Sequence, residues 1–287
     1  MLHLSNDLSA GLPHARIVDL TLLVAEDLPC TWPGHQRYQQ KIFNWFATEE
    51  SGGALLRDDL GPYQTRWMLM DEHTGTHVDA PSHGVPPLNS DLPGAGPEGE
   101  ISAAEINLDQ VVGPAVVIDV SPGSLLADRQ ASHDPDIGPD VLSAHESAHG
   151  EIKTGEIVLL RTGWDRYYVK GEAGRAYVEQ PLRGVGPGWP AWTAEGVQAL
   201  ADRGVTCLGT DAPSIGGAGV GGPAHDVGFR AGMVFVEGLT GLTKLPTRGA
   251  LFLALPWRLA YASGSPVRAV ALVNGDSEQD GSDREQV

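Results

Sequence analysis

The stretch His73-Thr-Gly-Thr-His77-Val-Asp79-Ala-Pro-Ser-His83 concentrates three imidazoles and a carboxylate in eleven residues. Clusters of His with Asp mark metal or catalytic sites, and imidazole nitrogen with carboxylate oxygen suits Zn2+ or Mn2+. No Cys lies nearby, which argues against a closed structural zinc site. His73 and His77 have the i, i+4 spacing of one helical face. However, Gly75, the β-branched Thr74, Thr76 and Val78, and then Pro81 disfavour a helix. The segment therefore reads as loop or strand. Locally extended, it points His77 and Asp79 to the same side, and the Ala80-Pro81 turn brings His83 back toward them. The competing account, unrelated histidines in a polar loop, leaves the clustering unexplained.

Two other patterns imitate known sites. His145-Glu146-Ser147-Ala148-His149 is formally HExxH, in which two helical His bind zinc and the Glu is a peptidase base. Gly150 follows at once, placing His149 in a fraying last turn. Leu142-Ser-Ala offers little apolar support, and no convincing third ligand follows on a second helix. A solvated, polar helix end is the better account. Gly217-Ala-Gly219-Val-Gly221-Gly222 matches GxGxxG, but eight residues separate it from the preceding strand. Pro223 and His225 then stand where the helix of a dinucleotide site should begin. It reads as a mobile glycine loop beside the site. No GxSxG elbow occurs, so serine hydrolase chemistry has no support.

The elements that must position these groups are short apolar, β-rich runs at 16–24, 115–120, 156–161, 205–208, 233–236, 250–255 and 267–273. Ser102-Ala-Ala-Glu105 is a capping-box pattern that predicts a helix through Val111. Thr193 can cap a second helix with Val197, Leu200 and Ala201 on one face, stopped by Gly204. Gly (37) and Pro (21) fill the connections, so the expected fold is one α/β domain with a mixed β-sheet and flanking helices. Long Gly/Pro-rich stretches at 84–99 and 181–190 read as ordered loops bordering a site. The domain organisation expected is an N-terminal extension at 1–14, a single domain at 15–274, and a disordered acidic tail at 275–287.

With 287 residues, 41% hydrophobic and 20% charged, the chain has material for a sizeable core. A net charge of −18, from 37 acidic and 19 basic side chains, argues against nucleic acid and anionic membranes as partners. No apolar run is long enough to span a bilayer and the N-terminus lacks a signal-peptide pattern, so a cytoplasmic location is expected. Cys30 and Cys207 form no CxxC motif and read as buried, reduced thiols.

The chain resembles the metal-dependent cyclase family that includes bacterial kynurenine formamidase and isatin hydrolase. The resemblance spans residues 15–273 and rests on His73-x-Gly-Thr-His77-x-Asp79-x-Pro-x-His83, Thr210-Asp211-Ala-Pro-Ser214, His225 with Glu237, and Ser265-Pro-Val-Arg268. It implies a swivelling β/β/α fold. It also implies that His73, His77 and Asp79 hold one divalent metal, with Asp79 able to face a second ion held by His225 and Glu237. His83 becomes the general acid/base and Trp32 the aromatic that packs on substrate. The implied reaction is metal-assisted hydrolysis of a small amide, an aryl formamide or a cyclic amide or lactone such as isatin. A metal would lower the pKa of a bound water to about 7 and stabilise oxyanion charge. Extra material at 36–67, 121–136 and 166–192 is expected to reshape the pocket. Trp32, Trp45, Trp67, Trp164, Trp189 and Trp192 could build a stacking wall for an aromatic substrate, or equally a core. A homodimer or homotetramer is also implied. The alternatives carried forward are a catalytically silent metal- or small-molecule-binding member of the fold, and an HExxH zinc peptidase.

Overall fold

Several runs of this chain are apolar at nearly every position, the pattern of strands covered on both faces. In the computed structural model, which describes residues 15–124, 126 and 136–275, those runs form the middle of one large sheet. The strands are β1 (Ala15–Asp19), β2 (Gln39–Asn44), β3 (Glu49–Ser51), β4 (Ala54–Leu56), β5 (Thr65–Leu69), β6 (His77–Asp79) and β7 (Val112–Asp119). They continue with β8 (Asp136–Ile137), β9 (Ile157–Arg161), β10 (Ala191–Trp192), β11 (Cys207–Thr210), β12 (Val234–Glu237), β13 (Arg248–Pro256) and β14 (Gly264–Asn274). The helices are α1 (Leu108–Val111), α2 (Pro139–His149), α3 (Glu179–Leu182), α4 (Ala194–Ala201) and α5 (Gly222–Arg230).

The main sheet runs β1-β14-β13-β7-β9-β11-β12-β6, and β6 also pairs with β14. Seven strands therefore close into a barrel-like ring, with β1 added outside β14. β7, β9, β11 and β12 are mutually parallel, while β13, β14 and β6 join antiparallel, so the sheet is mixed as expected. Alternation along the strands sorts the core into two clusters. Val117, Leu159, Val236 and Val78 pack strand on strand with Phe252 and Ala269. Val116, Val158, Leu160 and Phe235 face the other way, against Leu142 of α2, Val197 and Leu200 of α4, and Phe229 of α5. No helix among the described residues is long and apolar enough to cross a membrane.

Most of the expected strands form, although β1 stops at Asp19 rather than reaching Val24. Thr193 caps α4 as expected, its hydroxyl accepting from Gly196 N at 3.1 Å. The helix expected from Ser102 does not form. The capping contacts between Ser102 and Glu105 are made, but they close a single turn, with Glu105 N donating to Ser102 O at 2.9 Å, and helix begins only at Leu108, capped by Asn107. Pro223 starts α5 rather than preventing it, since proline is favoured in a helix's first turn. The hairpins β2/β5 and β3/β4 occupy the 36–67 insertion and carry exposed Phe43, Trp67 and Met68. Cys30 and Cys207 are buried free thiols. The N-terminal extension, the tail beyond residue 275 and most of the 121–136 insertion lie outside the described residues.

The HExxH segment also needs correction. It lies on a real helix, α2, with Val141 and Leu142 buried. His145 is not solvated: it is 2% exposed and its Nε2 has no hydrogen-bond partner. Burial, followed by the charges of His149 and Arg248, pushes its pKa down to about 4. The unfolded chain takes up a proton near pH 6.5 that the native state refuses until about pH 4, so this residue makes stability fall as pH falls through that window, by up to about 1.4 kcal/mol per pH unit. Urea unfolding at pH 7 and at pH 4.5 should show a smaller loss for His145→Leu than for the wild type. Equal losses would refute this assignment.

Candidate metal centre

Strand β6 is only three residues long, and it closes the ring. Its antiparallel register with β12 sets His77 opposite Glu237 and Asp79 opposite Phe235. On its other edge His77 faces Pro266 and Asp79 faces Gly264 of β14. Val78 packs into the strand-on-strand cluster, so His77 and Asp79 both point to the helix-covered side. Glu237 shares that side with Phe235, and α5 adds His225 from above it. The expectation that His77 and Asp79 share a side is met, and the chain-distant Glu237 arrives by strand pairing.

The five candidate ligands lie together. His73 Nδ1 is 2.8 Å from Asp79 Oδ1, and His77 Nε2 is 3.4 Å from Asp79 Oδ1 and 3.5 Å from Glu237 Oε2. His225 Nε2 stands 3.2 Å from Glu237 Oε1. Donor atoms of His77, Asp79 and Glu237 lie within 4.8 Å of one another, as do those of His73, Asp79 and His83. His83 follows in the 3-10 turn Pro81–His83, its ring centroid 4.2 Å from that of His73.

Surrounding groups fix the orientation of these side chains. His77 Nδ1 donates to Gly75 O and His225 Nδ1 to Gly221 O, each at 2.9 Å, which leaves Nε2 of both rings facing the carboxylates. Glu237 Oε1 accepts from Ile215 N at 2.7 Å and Ser214 Oγ at 3.2 Å. Thr76 ties the segment down, accepting from Leu22 N and donating to Gly238 O. Gly75 adopts a φ of +66°, where a Cβ would also collide with Val24. Asp211, from the second motif, is structural: it receives Thr162 N and Gly163 N at 2.8 Å and the Thr162 hydroxyl at 2.5 Å.

The electrostatics call for a cation. Burial opposes charge on His77, but hydrogen bonds to Asp79 and Glu237 outweigh it and push its pKa to about 10. Burial likewise opposes charge on His225, and Glu237 raises its pKa to about 9. Burial and the neighbouring Asp79 would raise the pKa of Glu237, yet His225 and His77 bring it to about 2. Protons on the imidazoles thus balance two buried carboxylates. A divalent cation supplies the same charge through a nitrogen and oxygen donor set without sulfur, so the residues fit such an ion. His83 differs from the ligands: its partial desolvation lowers its pKa from the ordinary imidazole value, which favours the neutral ring.

These groups open into a cavity of about 590 Å3, within the range of small-molecule sites. Trp32, Tyr168, Tyr177, Val178, Leu182 and Phe229 form its apolar wall. Trp32 is where the resemblance places a substrate-facing aromatic, and it packs edge-on to Trp189. The six-tryptophan wall does not form. Trp164, Trp189 and Trp192 are buried in the core, and Trp45 and Trp67 lie on the outer hairpins. Tyr168, Tyr177 and Phe229 line the cavity with Trp32 instead, and no local motif marks them. From the long loops, Gly84 and Leu182 reach the cavity. The glycine stretch does border it, through Gly219, Gly221 and Gly222. The HExxH pair does not join the site: Glu146 is held by Arg203 in two 2.8 Å hydrogen bonds, and no third ligand completes a cluster among the described residues.

Two outcomes follow. Adding Zn2+ or Mn2+ to metal-free protein near pH 7 should release protons, because His77 and His225 must become neutral to bind. Binding should therefore tighten as pH rises toward 9, and calorimetry showing no proton release would contradict this. At Gly264 a Cβ would lie 2.5 Å from His73 Cε1 and 2.8 Å from Nδ1. Gly264→Ala, whose Cβ also comes 3.0 Å from Val78 O, should therefore displace His73 and weaken metal binding about 10- to 100-fold, with circular dichroism checking that the fold is kept. Unchanged affinity would show that His73 is not a ligand.

Known proteins resemble this chain in sequence and fold. The Cyclase family model matches residues 18–216. The chain is 33% identical to an isatin hydrolase of Roseibium aggregatum over 224 residues, 75% of this chain and 78% of that protein. It is 29% identical to a kynurenine formamidase of Salinibacter ruber over 246 residues, 83% of this chain and 89% of that protein. Among solved structures, isatin hydrolase A from Labrenzia aggregata, bound to benzyl benzoate, superposes with a TM-score of 0.73 at 29% identity. That match covers 94% of this chain and 98% of the other. With a family model matched over 18–216 and a relative 33% identical over 75% of its length, this chain belongs to the Cyclase family.

Proposed function

We propose that this protein is a metal-dependent hydrolase of a small, aromatic amide: an aryl formamide, or a cyclic amide or lactone such as isatin. The observation that carries this reading is the placement of His83. It sits one ring away from the ligand cluster, edges against Phe229 at 6.2 Å, and lines the cavity wall. In this reading His73, His77 and Asp79 hold one ion, Zn2+ or Mn2+, and His225 and Glu237 hold a second that Asp79 also faces. A bound divalent cation supplies Lewis acidity to a carbonyl oxygen and lowers the pKa of water.

The protein's own residues do the rest. Trp32, Tyr168, Tyr177 and Phe229 hold an aryl ring and exclude water from the cavity. His83 accepts a proton as water adds across the C–N or C–O bond, and returns it to the departing nitrogen or oxygen. The water oxygen ends on the acyl carbon, so atoms and charge balance. The names of the relatives support the substrate class. The residues at 15–274 form the hydrolase domain, and a cytoplasmic location belongs to the same proposal. A homodimer or homotetramer is supported by the exposed apolar side chains on the two faces of the β2/β5 ribbon, Phe43 at 63% exposure with Trp67, Met68 and Leu69.

Hydrolysis of N-formylkynurenine, isatin and simple lactones tests the reading. His83→Ala should lose about 100-fold or more in kcat while retaining its metal. His77→Ala should lose metal and activity together, and His149→Ala should match the wild type. Unchanged metal content in His77→Ala would overturn the ligand assignment. Metal retention in a wild-type protein inert toward all three substrates would favour the silent binding protein. Sedimentation should show an oligomer that Trp67→Asp weakens, and a wild-type monomer would refute the assembly.

A further inference from the structure

Ser263 lies on the loop between β13 and β14, outside every motif singled out in the sequence, and its hydroxyl stands between two histidines of the site. Its Oγ is 2.5 Å from Glu72 Oε1, 3.2 Å from His83 Nδ1 and 3.3 Å from His73 Nε2. The backbone is held as well. Ser263 N donates to Glu72 Oε1 at 3.1 Å, and Ala80 N donates to Ser263 O at 2.9 Å. Two residues earlier, Tyr261 takes a φ of +64°, the one non-glycine in the left-handed region among the described residues.

A serine hydroxyl has one proton and two lone pairs. The Glu72 carboxylate can only accept, and at this short distance it takes the hydroxyl proton in a charge-assisted bond. Oγ is then left with its lone pairs, directed at His83 Nδ1 and His73 Nε2. Both nitrogens must carry a proton to bond to it. A neutral His83 then keeps its lone pair on Nε2, while His73 also donates from Nδ1 to the Asp79 carboxylate at 2.8 Å, and that Nδ1 proton is the one a bound metal would replace. His77 and His225, held by backbone carbonyls, instead present Nε2 to the carboxylates.

We propose that Ser263, anchored by Glu72, is a positioning residue that sets the tautomers of His73 and His83 together. One hydroxyl thereby assigns His73 to bind through Nδ1 and leaves Nε2 of His83 free to accept a proton. This rests on the reading of His83 as the acid/base group. It places the basic nitrogen on the atom to which no described residue hydrogen-bonds, and it explains why a carboxylate is tied to a serine at the edge of the ligand cluster.

The test reads the tautomer directly, without metal or substrate. Long-range 1H–15N NMR of metal-free protein at pH 8 should show His83 protonated on Nδ1. Ser263→Ala should give a mixture of tautomers. Glu72→Ala, which frees the serine proton to point at His83, should move the proton to Nε2. At saturating Zn2+ or Mn2+, Ser263→Ala should lower kcat about 10- to 100-fold with KM changed far less, and Ser263→Thr should restore most of it. Wild-type His83 protonated on Nε2, or Ser263→Ala with wild-type kcat, would overturn the proposal. If His83→Ala retains full activity, the acid/base reading itself fails. If His83→Ala is inactive while Ser263→Ala is fully active, only the tautomer assignment fails.

Discussion

Two carboxylates, Asp79 and Glu237, are buried on adjacent strands of a closed ring, at 2% and 4% exposure. An unpaired buried charge costs several kcal/mol, so everything around them is organised to compensate it. The short strand β6 both completes the ring and delivers Asp79, while its pairing with β12 sets His77 against Glu237. Fold and site therefore close through the same three residues. A slip of one residue in β6 would open the ring and turn both ligands into the apolar cluster that Val78 now fills.

Around that junction, orientation is supplied by groups that are not ligands. Backbone carbonyls hold His77 and His225, the Ile215 amide and Ser214 hold Glu237, and Ser263 with Glu72 meets His73 and His83. The glycine stretch acts through packing: a Cβ on Gly216 would fall 2.4 Å from Gly221 Cα, so the loop folds on itself just before α5 and brings His225 down to the cluster. Phe229, one turn further along α5, then packs with His225 and edges His83. One helix thus joins the ligand shell to the cavity wall.

How much of this is legible in the sequence follows from what each feature depends on. The His73–His83 motif is local and made of uncommon residue types, so its chemistry, its extended backbone and the shared side of His77 and Asp79 can be read directly. The central strands are legible because they are apolar on both faces. The partnership of His77 with Glu237 depends on β6 pairing with β12, which periodicity does not encode. Without the family resemblance, Glu237 would pass for an ordinary strand end. Tyr168, Tyr177, Phe229, Glu72 and Ser263 lie in no motif and reach the site only through tertiary packing. The six tryptophans mislead because a large aromatic serves a core as well as a pocket. The Ser102 capping box misleads because its contacts close a single turn, with Glu105 N donating to Ser102 O, and the helix starts afresh at Leu108 under the Asn107 cap.

The central claim is that the Asp79 and Glu237 junction holds a divalent cation. Anomalous diffraction from crystals grown with Zn2+ tests it most directly. A peak is expected about 2.0–2.2 Å from an Asp79 oxygen and from the nitrogens of His73 and His77, with any second peak at His225 and Glu237. A peak confined to His145 and His149, or none in the cavity, would contradict it.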